Sequence, residues 1–371
     1  DVLSLRGLQR EFQAQQSKAF KDKSQFEKLT FQKDKTIINT IDKSGCGNYQ
    51  LMLVRGLHSV KALDKKKRNF LIAAGIPLIH PLVDLGNYAM LEMGTPMHVF
   101  DLDHLELPLN IAFPASKKNS FQAIGGDTKI VEPSSLTIQD QKGIQAIAGI
   151  IGGHESSVSK NTKNVAVEAA FFNPDKIANQ ARKYGLATDA SHRFERGVDP
   201  ALQQKALARF LFLLKEMAQY DSIECYEGSS VKLKPRAISL NIERFNNFSG
   251  LLLSAKKIKL FLETLGFTSM PIKGDHLKFQ VPSHRFDMEL EEDLYEEILR
   301  CYGYDNIPIN PPKSGPVVKI TDHSVSAKLK DGLVFGGFQE LMHMPFVSTE
   351  TFNALNSNNW SPAELSNPIN E

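Results

Sequence analysis

The sequence contains little cysteine. Its 371 residues include three cysteines, Cys46, Cys225 and Cys301, which lie far apart along the chain. They form neither a CxxC pair nor an even-numbered disulfide framework. The sequence therefore favours a reducing compartment, and we expect a cytoplasmic protein.

Long apolar runs and a strong net charge are also absent. No run approaches the ~18 residues that a membrane helix needs, so we expect no association with a membrane. The net charge of +2 is too small to indicate general affinity for nucleic acid. The chain opens without Met or a signal sequence, and we expect it to be a fragment of a longer protein.

Several catalytic motifs are missing as well. The glycine-bearing stretch GIIGG at 149–153 does not follow the GxGxxG pattern and lacks the lysine of a P-loop. No nucleophile elbow is present, and no cysteine lies in an activating motif. These absences disfavour covalent catalysis and nucleotide cradles of those kinds. Glycines at 149, 152 and 153 would still allow a backbone to approach a ligand closely.

The patterns that are present predict an α+β protein of several domains. Strand and turn patterns dominate residues 78–171, and helical patterns follow them. Asn173 before Pro174 and Asp199 before Pro200 each predict a helix start. The predicted elements are a helix within 3–20, a strand at 49–57, a helix at 60–74, a helix from Asp199 to about Met217, a helix at 255–265 capped by Ser254, and a helix at 288–302.

Glu168 is the most informative single residue. It interrupts the apolar stretch NVAVEAAFF, where a buried carboxylate is costly unless it is paired or used. Alternation along a strand would also allow Glu168 to face solvent, and both interpretations stay open. His98, between Met97 and Val99, is equally consistent with a structural or a functional histidine.

The segment FDMELEEDLYEE at 286–297 is strongly acidic. On a helix, Asp293, Glu296 and Glu297 stand at i, i+3 and i+4, and Asp287 lies at or near the N-cap. Clustered carboxylates repel one another unless a cation or a basic partner neutralises them, and oxygen ligands suit Mg²⁺. A solvated acidic face at the helix N-terminus is the alternative.

Four stretches together resemble the motifs of one known family. They are NYAMLEMGTPMHVFDLD, GIIGGHESSVSKNTKNVAVEAAFFNP, ARKYGLATDASHRFERGVDP and PSHRFDMELEEDLYEEILRCYGYDNIP. In order and spacing they are similar to the beta subunits of bacterial phenylalanyl-tRNA synthetases, from about residue 49 to residue 311. The resemblance implies the end of an N-terminal domain at 1–49, a tRNA-editing module at 50–232, a small helix-turn-helix-like α/β domain at 233–311, and the start of a catalytic-like module at 312–371.

The resemblance also implies partners and an activity. The family's beta subunit works in an (αβ)₂ heterotetramer, in which the alpha subunit uses ATP to attach phenylalanine to tRNA(Phe). The editing module hydrolyses Tyr-tRNA(Phe). Its pocket is implied to contain Glu168, Gly149, Gly152 and Ala190 as binding residues, with His98, Asn87 and Thr188 holding water or the terminal ribose. A Mg²⁺ site shared with the alpha subunit is implied at Asp287, Asp293, Glu296 and Glu297.

Three positions depart from the family pattern. Gly86 stands where the family usually has Thr, Thr95 where it has Gln, and Pro77 where it has Arg. A pocket hydroxyl and a cationic side chain near the entrance are therefore missing. The departures leave open a second interpretation, in which this region positions tRNA and has weak or lost editing.

Overall fold

The computed structural model describes residues 2–115, 119–228, 235–271, 276–309, 315, 325–356 and 360–368. Contacts divide the chain into two units, Asp1–Pro308 and Ile309–Glu371. Across the described ranges, no helix is long and apolar enough to cross a membrane. The mixture of helices and several sheets confirms the predicted α+β class.

Within the described ranges, the strands form four sheets. In chain order they are β1 (Phe31–Gln32), β2 (Ile38–Ile41), β3 (Cys46–Arg55), β4 (Met97–Asp101), β5 (Leu109–Ala112), β6 (Asn119–Gln122), β7 (Thr128–Val131), β8 (Thr137–Gln139), β9 (Ile144–Ile147), β10 (Ile151–Gly152), β11 (Val165–Phe172), β12 (Ser222–Glu227), β13 (Ala237–Asn241), β14 (Thr268–Met270) and β15 (His276–Gln280). The first sheet has the order β1-β12-β3-β11-β4, and the second has the order β10-β9-β8-β5-β2. The hairpin β6-β7 and the sheet β13-β15-β14 complete the set.

Helices lie in both units of the described chain. They are α1 (Leu5–Gln15), α2 (Lys65–Ala73), α3 (Pro81–Met93), α4 (Pro174–Ile177), α5 (Gln180–Lys183), α6 (Asp189–Arg196), α7 (Gln203–Met217), α8 (Ile242–Ser249), α9 (Ala255–Thr264), α10 (Glu291–Tyr302), α11 (Val325–Phe335) and α12 (Thr349–Leu355). Single 3-10 turns lie at Leu102–His104 and Tyr304–Asn306.

Two hydrophobic cores lie on opposite faces of the first sheet. The inner core joins it to the second sheet, through residues such as Leu51, Ala170 and Ile138. The outer core joins it to α3 and α7, through residues such as Val167 and Phe210. Side chains alternate along a strand, so each residue of β11 faces one core or the other. The first sheet is therefore covered on both faces.

Helix α3 corrects one part of the prediction that residues 78–171 are mostly strands and turns, while β4 to β11 confirm the rest. Pro81 occupies the first turn, and the His80 side chain accepts a hydrogen bond from the backbone N–H of Leu82. Gly94 ends the helix in the left-handed conformation, with φ of 83°. An apolar stretch this dense is compatible with either a buried strand or a buried helix, and its periodicity alone does not separate them.

Asp199 also differs from its predicted role. Helix α7 begins at Gln203 with Leu202 at the N-cap position, and no side chain caps it. Asp199 Oδ1 instead accepts a hydrogen bond from the backbone N–H of Ala201 at 3.0 Å, in the turn before the helix. The Asp-Pro pair marks that turn and not the helix start.

The small domain packs α8, α9 and α10 against the sheet β13-β15-β14. Its core includes Leu240, Phe245, Leu262 and Phe279. Ser254 caps α9 by accepting from the backbone N–H of Lys257, as predicted. Helix α8 was not predicted, and with α9 it forms two consecutive helices joined by residues 250–254.

Of the implied domain boundaries, the first falls inside a strand and the other two fall among residues that the structure does not describe. The boundary between residues 49 and 50 falls inside β3, and β1 and β2 before it pair with β12 and β5. Residues 31–49 thus belong to the same sheets as the module that follows. The boundaries at 232/233 and 311/312 lie outside the described residues. In the second unit, Ser348 caps α12 by accepting from the backbone N–H of Thr351.

We expect Glu92→Ala to lower the free energy of unfolding by about 2 kcal/mol. Arg209 Nε and Nη2, on α7, donate to both carboxylate oxygens of Glu92, on α3, at 2.8 and 2.9 Å, and both side chains are largely buried. Removal of one partner leaves a poorly solvated charge unpaired. Urea unfolding measures the change. The matched control is Glu216→Ala on α7, whose exposed carboxylate lies 3.5 Å from Lys67 Nζ. Equal effects of the two substitutions would contradict the expectation.

Candidate functional site

Glu168 is buried between the two large sheets. It lies in the middle of β11, is 4% exposed, and faces the inner core together with Ala166 and Ala170. The interpretation as a solvent-facing strand residue is therefore wrong. The Tyr49 hydroxyl, on β3, donates a hydrogen bond to Glu168 Oε2 at 2.8 Å. The carboxylate is thus both buried and paired.

Burial dominates the electrostatics of this carboxylate. It raises the pKa of Glu168 from 4.5 to about 7, and the hydrogen bond from Tyr49 acts in the opposite direction. Burial and the Glu168 charge together raise the pKa of the Tyr49 hydroxyl and of the neighbouring Cys46 thiol. Tyr49 and Cys46 therefore stay protonated when Glu168 ionises.

His98 lies directly across from Glu168. The two residues are paired in the register of β4 and β11. His98 Nε2 is buried and has no hydrogen-bond partner in the described part of the chain. Burial lowers the pKa of His98 from 6.5 to about 4, so the ring is neutral near pH 7. Its edge packs against Phe100, with 4.3 Å between ring centroids.

All three glycines of the GIIGG stretch are closely packed, and two of them lie against candidate site or inner-core side chains. A Cβ on Gly152 would lie 2.3 Å from His98 Cε1 and 2.6 Å from Nε2. Gly149 has φ of 70°, and a Cβ there would lie 2.9 Å from Phe194. The backbone at Gly152 therefore lies against the unpartnered imidazole nitrogen of His98. Gly149 lies against the rings of Phe194 and Phe172 in the inner core.

Thr188 and Ala190 join the same stretch through α6. Thr188 is the N-cap of α6, where it and Ser191 exchange side-chain-to-backbone hydrogen bonds, each at 3.0 Å. Thr188 Oγ1 also donates to the carbonyl of Ile150 at 3.2 Å. Ala190 packs against the inner core, which includes Phe194. Thr188 thus fixes the helix to the glycine-bearing loop.

Asn87 is not joined to this group. It lies on α3, whose buried residues pack in the outer core, on the other face of the first sheet. None of the hydrogen bonds described for the chain connects it to His98 or Glu168. The neighbouring Gly86 leaves room for a side chain, because a Cβ there would lie 3.7 Å from the Met97 carbonyl oxygen.

Tyr49 was missed by the sequence analysis. It lies in the predicted strand at 49–57, where it was counted only as part of an apolar stretch. A buried tyrosine hydroxyl needs a polar partner, and so does a buried glutamate. Each of two predicted strands thus carried a polar group that needed a hydrogen-bond partner. This was the signal that could have paired Tyr49 with Glu168.

The four carboxylates of the implied metal site do not converge within this chain. Arg285 Nη2 donates to Asp287 Oδ2 at 2.7 Å and to Glu297 Oε1 at 2.8 Å. Arg300 donates to the other oxygen of Glu297 at 2.5 Å. Among the described residues, no group of three or more His, Cys, Asp or Glu side chains could hold a metal ion.

The start of α10 explains the position of the other carboxylates. The helix begins at Glu291, and Asp293 Oδ2 accepts from the backbone N–H groups of Glu289 and Leu290, each at 2.7 Å. Asp293, and not Asp287, therefore serves the helix N-terminus. Glu296 is exposed. As they stand, these side chains do not fit a metal centre, and the predicted Mg²⁺ site, which requires a second chain, stays a prediction.

Two family models match the chain. A B3/4 domain covers residues 45–219, and a tRNA synthetase B5 domain covers residues 238–304. The first contains the Glu168 site, and the second contains the small domain with α8, α9 and α10. Together they place the chain in the class of aminoacyl-tRNA synthetase components.

Curated relatives specify the family. A phenylalanine–tRNA ligase beta subunit from Pseudoalteromonas translucida is 35% identical over 342 residues, which is 91% of this chain and 42% of the relative. Beta subunits from Dickeya dadantii and Haemophilus influenzae are 39% and 34% identical, over 81% and 100% of this chain and 38% and 46% of their own length. The chain belongs to the phenylalanine–tRNA ligase beta-subunit family, and it spans less than half the length of these relatives.

Among solved structures, an N-terminal fragment of the phenylalanyl-tRNA synthetase beta subunit from Pyrococcus horikoshii aligns over 75% of this chain and 78% of that chain. The sequence identity is 18% and the TM-score is 0.36.

We expect Gly152→Ala to displace the His98 ring and to lower the free energy of unfolding by ~1–3 kcal/mol, because the new methyl group overlaps the imidazole. Urea unfolding and a crystal structure of the variant would measure both effects. Gly86→Ala on α3 is the control, since its methyl group would meet Met97 and Val99 of β4 only at ordinary contact distances of 3.7 and 3.9 Å. A Gly152→Ala variant as stable as the control, with His98 in place, would show that the packing is looser than described.

We expect Glu168→Gln to change the pH dependence of stability. The folded-state pKa of about 7 lies above the ordinary 4.5, so the folded protein holds the Glu168 proton over this interval and loses stability as the pH rises. The variant lacks this loss. Its unfolding free energy relative to the unmodified protein should therefore rise by about 3 kcal/mol between pH 4.5 and 7, as measured by urea unfolding. Glu224→Gln, at a half-exposed position on β12, is the control. If the difference in unfolding free energy between Glu168→Gln and the unmodified protein did not change with pH, the raised pKa of Glu168 would be refuted.

Proposed function

We propose that the chain acts in a phenylalanine–tRNA ligase and that the Glu168 site hydrolyses tyrosine wrongly esterified to tRNA(Phe). The observation that supports this most strongly is the juxtaposition of a buried carboxylate with an imidazole whose buried Nε2 lacks a partner. Both groups lie beside a glycine-bearing loop that presents backbone instead of side chains.

Glu168 would provide the selectivity. Tyrosine and phenylalanine differ by one hydroxyl, and an apolar pocket rejects an added hydroxyl by a factor of only about 10². A site that must hydrogen-bond the hydroxyl discriminates more strongly, because the analogue without it leaves a buried polar group unsatisfied. Glu168 Oε2 already accepts from Tyr49, so the substrate hydroxyl would bind the other oxygen, Oε1.

His98 would position the attacking water. Its neutral ring can accept a hydrogen bond at Nε2, but a pKa of about 4 makes it a weak base near neutral pH. We therefore assign it an orienting role and assign no general base. Thr188 would hold the loop through the Ile150 carbonyl. Asn87, whose helix packs on the other face of the first sheet, takes no part in this assignment.

We also propose how the beta subunit takes part in the whole enzyme. The beta subunit would assemble with an alpha subunit as an (αβ)₂ heterotetramer in the cytoplasm. The alpha subunit would use ATP to charge tRNA(Phe), and Mg²⁺ would be shared between the subunits. Within this chain Arg285 and Arg300 engage Asp287 and Glu297, and the roles proposed at the Glu168 site involve none of these four residues.

A second candidate function is a tRNA-positioning region without editing. Gly86 and Pro77 favour it, because they remove the hydroxyl and the guanidinium that the family usually has at these positions. Under this alternative the Tyr49–Glu168 pair is purely structural, and the assembled ligase would accumulate Tyr-tRNA(Phe).

The deciding measurement is deacylation of Tyr-tRNA(Phe) and Phe-tRNA(Phe) by the assembled ligase. We expect Tyr-tRNA(Phe) to be hydrolysed faster, and Glu168→Ala to abolish that preference, because it removes the acceptor for the tyrosyl hydroxyl. Glu224→Ala, at a half-exposed position on β12, should leave the preference unchanged. Retention of the preference in Glu168→Ala would contradict the role of Glu168, and no deacylation by the unmodified ligase would favour the second candidate.

A further inference from the structure

The hydrogen bond from Tyr49 gives Glu168 a defined orientation. We infer that Tyr49 is a positioning residue for substrate selection: its hydroxyl holds Glu168 Oε2, so that Oε1 is the oxygen presented to a tyrosyl hydroxyl. This inference rests on the proposed editing function and adds to it a residue outside the set implied by the family motifs.

The strand register fixes the pair. On β3 and β11, Tyr49 lies opposite Ala170 and Leu51 lies opposite Glu168. Tyr49 and Glu168 are thus diagonal neighbours on one face of the first sheet. Tyr49 is fully buried, and its hydroxyl has a single proton to donate. Because that proton goes to Oε2, Tyr49 has no second donor with which to satisfy Oε1.

The orientation matters because a carboxyl group can rotate about its last bond. A freely rotating group would offer either oxygen in a broad range of directions. With Oε2 held at 2.8 Å, rotation breaks a buried hydrogen bond, so Oε1 keeps one direction. A fixed acceptor distinguishes a hydroxyl at the end of an aromatic ring from a ring that lacks it.

Tyr49 also favours the ionised form of Glu168, which can accept hydrogen bonds but cannot donate them. The titratable groups that face Glu168 are Tyr49 and Cys46 from β3 and His98 from β4. His98 is neutral near pH 7, and the Cys46 thiol is protonated. The hydrogen bond from Tyr49 is therefore the interaction that favours the carboxylate against burial. A carboxylate accepts from the tyrosyl hydroxyl, whereas a protonated carboxyl would present a proton of its own.

The test is Tyr49→Phe, which keeps the ring and removes the donor. We expect the preference of the assembled ligase for Tyr-tRNA(Phe) over Phe-tRNA(Phe) to fall roughly tenfold near pH 7. We also expect the preference of the variant to reappear only at higher pH, because loss of the Tyr49 hydrogen bond raises the pKa of Glu168 further. Tyr226→Phe is the matched control, since Tyr226 is a buried tyrosine of the same sheet whose side-chain partner is Gln32. It should leave the pH profile unchanged.

A second readout needs no tRNA. Infrared absorption of the protonated carboxyl, assigned by its loss in Glu168→Gln, follows the titration of Glu168 directly. Tyr49→Phe should shift that titration upward, and Tyr226→Phe should not. An unmoved titration, or an unmoved preference in a ligase that edits, would overturn the inference. A ligase that never deacylates Tyr-tRNA(Phe), but whose Glu168 titration shifts, would refute the editing function and the role of Tyr49 in selection while leaving the Tyr49–Glu168 bond established.

Discussion

The burial of one carboxylate constrains the surrounding structure. Glu168 lies between two sheets, where an unpaired charge would be too costly to retain. Two features make its position tolerable, the hydrogen bond from Tyr49 and a pKa raised to about 7, and the His98 ring across the strand pair is neutral. None of them supplies an opposite charge. The site therefore stays responsive to a further donor, which an ion pair with arginine or lysine would have prevented.

Strand alternation determines which groups can meet. Glu168 and His98 are paired in register, so their side chains lie on the same face of the first sheet, and that face is covered by the second sheet. The glycine-bearing loop that leads into β10 belongs to this covering layer. Gly152 has no side chain, and the backbone therefore comes against the imidazole without displacing it. Asn87 belongs to a helix on the opposite face, which explains why it stands apart.

The sequence predicted the fold class and about half of the helices in the described part of the chain, and around 81–93 it failed because one local pattern fits two structures. Residues around 81–93 are apolar enough for either a strand or a helix. They form a helix, whose apolar side chains are buried in the outer core. The burial of Glu168 could not be derived from β11 alone, because it depends on which faces the two sheets cover. The Tyr49 bond depends on the register between β3 and β11, which no local pattern encodes. Glu168, His98 and the glycines were singled out from the local sequence and were assigned to one pocket through the family motifs, whereas their contacts required the structure.

The two acidic features of the chain show how differently carboxylates are used when their partners differ. Around α10, Arg285 and Arg300 bind Glu297, and backbone N–H groups bind Asp293, so these carboxylates are held by strong donors. Glu168 has only a phenol. A cationic partner would make the carboxylate permanently charged and would occupy both of its oxygens in a bidentate pair. A single neutral donor partly offsets the burial of Glu168 and engages one of its oxygens. In the proposed editing function, the other oxygen accepts from the hydroxyl by which tyrosine differs from phenylalanine.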